Sequence, residues 1–132
     1  MATRTPDVLI VGTQRAVDTG LSAATLLGQY GVPCLLLDRW DGIYPQPRAV
    51  HLDDEIYRVL ARIGVGEEFA AISRPCHGLR LVDRNHSVLG EFRRGTAHGK
   101  HGFPEANMFD QPELEVRRDD GIHRRCGLQR RY

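Results

Sequence analysis

Residues 7–38 read DVLIVGTQRAVDTGLSAATLLGQYGVPCLLLD, and no other stretch restricts the possible fold so much. Asp7 precedes Val8, Leu9, Ile10 and Val11, a continuous apolar and β-branched run closed by Gly12. Such a run predicts a strand buried on both faces, the kind that belongs to a parallel sheet. From Gly20 to Tyr30 helix formers follow, with Leu21, Ala24 and either Leu27 or Gly28 on one stripe and Gly31 as the stop. Val32 to Leu37 supplies a second apolar run ending in Asp38. Strand, helix and strand within about thirty residues form a βαβ unit, whose crossover is right-handed almost without exception.

The turn between first strand and helix is where such units hold a dinucleotide. In G-x-G-x-x-G the first glycine makes the turn, the second admits the pyrophosphate and the third lets helix and strand pack closely. Counted from Gly12, Gln14 and Val17 stand where the other glycines belong, so the fingerprint fails as written. Gly20 nevertheless opens a run suited to the third glycine, and Asp38 lies eighteen residues beyond it, close to the spacing of the ribose-binding acid. Gly12 and Gly20 are eight positions apart instead of five, which predicts a turn lengthened by three residues between intact flanks. Within it stand Asp18, a carboxylate able to repel pyrophosphate, and Arg15, a cation able to attract it, the sequence leaving open which of them faces the ligand; the missing second glycine obstructs close approach in either case.

Further along, residues 39–50 are a turn-rich connection with Pro45 and Pro47. Asp53 or Asp54 can cap a helix bearing Ile56, Val59, Leu60 and Ile63 on one face and ended by Gly64. A shorter helix is expected at about Glu67 to Ile72, and LRLVD (79–83) with SVLGEF (87–92) reads as a hairpin. Residues 95–107 are glycine-rich and read as irregular. Asp110, Pro112 and Glu113 mark a new helix start, while the sequence beyond Val116 loses its helical period.

Composition excludes several classes. The net charge of +1 gives no global field toward nucleic acid or an anionic membrane. The last sixteen residues, however, hold six arginines against Asp119 and Asp120, without the interleaved aromatics of a nucleic-acid module. Three cysteines without C-x-x-C spacing suggest neither a disulfide framework nor a zinc cage and fit a reduced, cytoplasmic setting. No apolar run approaches the roughly 20 residues of a membrane span, and the start lacks the apolar region of a secretion signal. His98 and His101 have no third ligand nearby, so no metal site is expected. His51 and Asp53, which could be cast as an acid–base pair, read better as part of a helix cap.

Taken together in register, DVLIVGT, GLSAATLLGQYGV, LLLDR, GIYPQPRAVHLDDE and ANMFDQPELE resemble the N-terminal part of the FAD-dependent aromatic-ring monooxygenases, in particular the hydroxyphenylpropionate hydroxylase type. The resemblance runs from about Asp7 to Glu115, with residues 13–19 departing from it. It implies an α/β, Rossmann-like FAD-binding fold, here a βαβ fragment with a β-hairpin and an irregular tail. It implies also that Gly12 and Gly20 flank the pyrophosphate turn, that Asp38 holds the adenosine ribose and that Arg39 follows at the cofactor's edge. Arg48 would lie near the flavin or its phosphates, and Gln111 would meet the cofactor from the other side. The implied reaction places one oxygen atom of O₂ on a phenolic ring with NAD(P)H as co-substrate. The later family motifs that complete flavin and nicotinamide binding are missing from these 132 residues, so no catalytic residue is assigned and no hydroxylation is expected of the chain alone.

The expected organisation is a partial FAD-binding domain over residues 1–116 and a basic, disordered tail over 117–132. A small aromatic substrate, no nucleic acid and no membrane are the expected partners, with the oligomeric state open. The alternative is a non-catalytic nucleotide-binding or interaction module in which the long turn serves another ligand.

Overall fold

The computed structural model describes residues 6–11, 17–37, 46–47, 49–116 and 130–131. The expected βαβ unit is present: β1 (Val8–Val11), α1 (Val17–Gln29) and β2 (Cys34–Leu37). β1 and β2 are parallel, with Val8 opposite Cys34 and Val11 opposite Leu37. α1 packs on both strands through Leu21 and Ala24, which are buried, while Leu27 is half-buried and Gly28 exposed. The stripe therefore runs through Leu27. Tyr30 closes the helix and Gly31, at φ +72°, turns the chain, with the Gly31 and Val32 amides donating to the Gly28 and Leu27 carbonyls. This is the Schellman closure that a glycine at that position predicts.

Two features of the unit differ from expectation. Leu9 and Val11 are 57% and 70% exposed, so β1 is not buried on both faces. Parallel strands reach that state only when both faces are covered, and among the described residues α1 covers one. The second difference lies beside β2, where β8 (Arg130–Arg131) pairs in parallel with Leu36 and Leu37. The rest of the arginine-rich tail lies outside the described residues.

After the connection, β3 (His51–Asp53) leads directly into α2 (Asp54–Arg62). Asp53 is the cap, its Oδ1 accepting from the Ile56 amide at 2.9 Å. The buried face consists of Asp54, Tyr57, Leu60 and Ile63, whereas Ile56 is exposed. The face expected from the sequence includes Ile56 and omits Tyr57, and the structure reverses the two. The helix phase is decided by the larger ring, which stacks on Phe103 at 4.3 Å and meets Phe69 edge-on at 4.7 Å. Gly64 ends the helix as expected, at φ +87°.

α3 (Gly66–Ile72), β4 (Arg74–Pro75) and β7 (Ala106–Met108) complete this half. β3, β7 and β4 form an antiparallel sheet in the order β3-β7-β4, with Leu52 opposite Asn107 and Arg74 opposite Met108. None of these three strands is expected from the sequence, and β7 begins within the stretch read as irregular. A helix, α4, begins at Gln111 and is described through 116. The main core lies among these elements: Leu52, Tyr57, Leu60, Ile63, Val65, Phe69, Phe109 and Leu114, with Leu26 of α1 packed against it.

The hairpin, β5 (Gly78–Val82) and β6 (Val88–Arg93), stands largely free of the rest. Its turn is held by Asp83, whose Oδ1 accepts from the Asn85 and Ser87 amides. Leu79, Leu81 and Phe92 share one exposed face, and Arg80 and Glu91 pair on the other.

Candidate functional site

The site is defined by where the parallel strands end. Because Val11 is the partner of Leu37, β1 and β2 terminate level with each other at one end of the sheet. The chain therefore leaves for positions 12 and 38 from adjacent strands. In open parallel sheets, ligands bind outside the carboxyl ends of the strands. Gly12, Asp38, Arg39 and Arg48 themselves lie outside the described residues.

α1 supplies the third wall. Gly20 is buried in its first half, next to Leu21, Ser22, Ala24 and Thr25, all buried as well. Small residues here let helix and strands approach closely. The Thr25 hydroxyl is satisfied within the helix, donating to the Leu21 carbonyl at 2.7 Å, and the Cys34 thiol of β2 lies 3.8 Å from the Ala24 carbonyl. The helix begins at Val17, not Gly20. The three-residue excess is thus not confined to the turn: Val17, Asp18 and Thr19 extend the helix, and the link from β1 shortens to residues 12–16. At 1.5 Å per residue the helix starts about 4.5 Å ahead of Gly20.

Besides Gly20, Gln111 is the predicted site residue that the described residues place. Asp110 caps α4, accepting from the Glu113 amide at 3.0 Å. Gln111 is 7% exposed, and its Oε1 accepts from the Ala49 amide at 2.8 Å, immediately after Arg48 in the chain. Its Nε2 donates to Oε1 of Glu115 at 2.9 Å. Glu115, 6% exposed, belongs to the FDQPELE block but received no role from the sequence. The i, i+4 spacing of Gln111 and Glu115 on one helix was the available signal.

Other candidates fall elsewhere. Asp53 caps α2, and His51 is exposed on β3, so the pair forms no acid–base dyad. Asp54 is buried and accepts from the His101 amide at 3.2 Å. Among the described residues no three His, Cys, Asp or Glu side chains gather as a metal cage. The resolved pKa shifts also lie away from the strand ends. The Arg80 and Arg93 guanidiniums hold Glu91 below the usual carboxylate value, and burial pushes Tyr57 up.

The sequence relationship now decides the family. Residues 5–125 match the FAD binding domain family. The chain belongs to that family. Within the FAD-binding family it is 35% identical over 118 residues to the 3-(3-hydroxy-phenyl)propionate/3-hydroxycinnamic acid hydroxylase of Mycolicibacterium vanbaalenii, covering 89% of this chain and 20% of that enzyme. Among solved structures, it resembles the flavin-dependent monooxygenase PieE in complex with FAD and substrate, at 26% identity and a TM-score of 0.69, covering 96% of this chain and 24% of that one. It shares the fold of p-nitrophenol 4-monooxygenase from Pseudomonas putida at 20% identity and a TM-score of 0.76, covering 96% and 31% of the two chains. The expected Rossmann-like FAD-binding fold is thus confirmed. The chain spans about a fifth of the length of the curated relatives it matches. Among the described residues no helix is long and apolar enough to cross a membrane.

The described frame fits FAD in three respects: level parallel strand ends, a helix running back from them with a buried glycine, and a polar helix start beside the chain that follows Arg48. Its point of tension is the segment carrying Gln14 and Val17, where the family fingerprint requires glycines.

Proposed function

We propose that this chain holds FAD by its adenosine and pyrophosphate half, at the end of the sheet where β1 and β2 stop. In this reading Gly12 and Gly20 border the pyrophosphate, Asp38 accepts from the ribose hydroxyls and Arg39 lies at the cofactor's edge. Arg48 neutralises phosphate charge or flanks the flavin, and Gln111 contacts the cofactor from α4. An acid at the ribose position favours an unphosphorylated ribose. The observation that carries the proposal is the register of β1 and β2, which brings the chain to positions 12 and 38 from one sheet end.

FAD, when bound, supplies oxygen-transfer chemistry that no side chain can provide. What the residues of this chain contribute is position and electrostatics. The activity we infer for a longer protein built on this domain is hydroxylation of a phenolic ring with NAD(P)H and O₂, in a cytoplasmic setting. We assign residues 1–116 to the partial FAD-binding domain and 117–132 to a basic tail, and we assign no catalytic residue to this chain. Hydroxylation by the 132 residues alone is not expected. Without the second glycine, FAD affinity is expected to fall below that of relatives carrying the intact fingerprint.

The test is purification in the presence of FAD, followed by a flavin-fluorescence titration of the chain and of Asp38→Ala. Retained flavin, with affinity falling about tenfold or more on loss of the ribose contact, is the expected result; a charge-assisted hydrogen bond is worth that much. A colourless protein that binds ATP or NAD instead would replace this reading with that of a module for a different nucleotide.

A further inference from the structure

Gln111 bridges two elements that are far apart in sequence, and its chemistry allows the bridge in one orientation. The Ala49 amide can only donate, so the Gln111 atom facing it at 2.8 Å must be the carbonyl oxygen. The Glu115 carboxylate can only accept, so the atom 2.9 Å from it must be the amide nitrogen. Rotating the amide by half a turn would set nitrogen against an N–H and oxygen against a carboxylate. With Gln111 and Glu115 both buried, water is poorly placed to repair either mismatch. Asp110, capping the helix at the preceding position, fixes the backbone from which Gln111 projects.

We propose that Glu115 is a positioning residue: its carboxylate sets the Gln111 amide so that Oε1 clamps the backbone at Ala49, tying the chain just after Arg48 to the start of α4. The clamp is made of this chain's own atoms alone. Its consequence for FAD rests on the proposed function, in which Arg48 and Gln111 both serve the cofactor. Glu115 thereby acts on that site through Gln111, with no contact of its own to the ligand required.

Amide hydrogen exchange on the full 132-residue chain without FAD tests the clamp separately from cofactor binding. In the unsubstituted protein the Ala49 amide should be protected, and the Gln111 side-chain NH₂ protons should exchange slowly. Glu115→Leu removes the acceptor and should lower Ala49 protection about tenfold, the effect of one hydrogen bond lost. Glu115→Gln retains an acceptor and should restore most of it. In a Gln111→Met background, Glu115→Leu should add nothing further. If Glu115→Leu does not fold, Glu115→Asp withdraws the acceptor by one methylene and should lower protection partway. Rapid exchange of the Gln111 NH₂ in the unsubstituted protein would overturn the proposal. So would unchanged Ala49 protection on losing the carboxylate, or equal losses in the leucine and glutamine variants. A parallel FAD titration then reads the link to the cofactor: failure to bind FAD with the clamp intact counts against the proposed function and leaves the clamp standing.

Discussion

Gly64 concentrates much of what holds α2 in place. It sits at φ +87°, and the closure around it lets the Gly64 amide donate to Ala61 and the Val65 amide to Leu60. A side chain there pays the left-handed penalty, so Gly64→Ala should cost about 1–2 kcal/mol in chemical unfolding. A loss near zero would mean that the turn relaxes without strain. Single residues of this kind were readable from the sequence because their chemistry is local: a glycine after an apolar stripe, or an aspartate three positions before an amide it can cap. Tyr57 was not, since its burial depends on Phe69 and Phe103 arriving from elsewhere in the chain. For Gln111 the sequence indicated the position, while its hydrogen bonds to Ala49 and Glu115 required the fold.

Among the described elements, the hairpin is sustained mainly by its own cross-strand pairs. Glu91 lies between Arg80 at 2.7 Å and Arg93 at 3.2 Å. The hydrogen bond from Arg80 is the main cause that lowers its pKa from the ordinary 4.5, followed by that from Arg93. A carboxylate with a lowered pKa in the folded state favours folding above its ordinary pKa, and the contribution is lost as pH falls through the lowered value. Protection of the β5–β6 amides should therefore weaken on acidification through that range, and Glu91→Gln should remove this part of the pH dependence. Equal acid sensitivity in both proteins would show that the ion pairs do not hold the hairpin. β1 and β2 are legible as unbroken apolar runs bounded by turn residues, while α1 and β5–β6 carry enough residues to express a period. β3, β4 and β7 span two or three residues each and have no period to read. Their pairing is specified by the core beneath them. The same reasoning explains β1, whose composition predicts a covering on each face although α1 covers only one among the described residues.

Across the whole molecule, the cofactor frame and the main core are joined. Leu26 of α1 packs against the cluster around Leu60, and the Gln111–Ala49 bond ties α4 to the chain ahead of β3. Leu60 is almost fully buried in that cluster, so Leu60→Ala should lower stability by about 2–5 kcal/mol. Because α1 leans on the same core, FAD affinity should weaken along with stability; a stability loss without any change in affinity would mean that the two parts are independent. If the βαβ end receives the adenosine half of FAD, the two halves of the cofactor should compete unequally for it. With FAD bound to the full chain and followed by flavin fluorescence, ADP should displace it while FMN, lacking the adenosine, should not. Displacement by FMN with indifference to ADP would contradict the account.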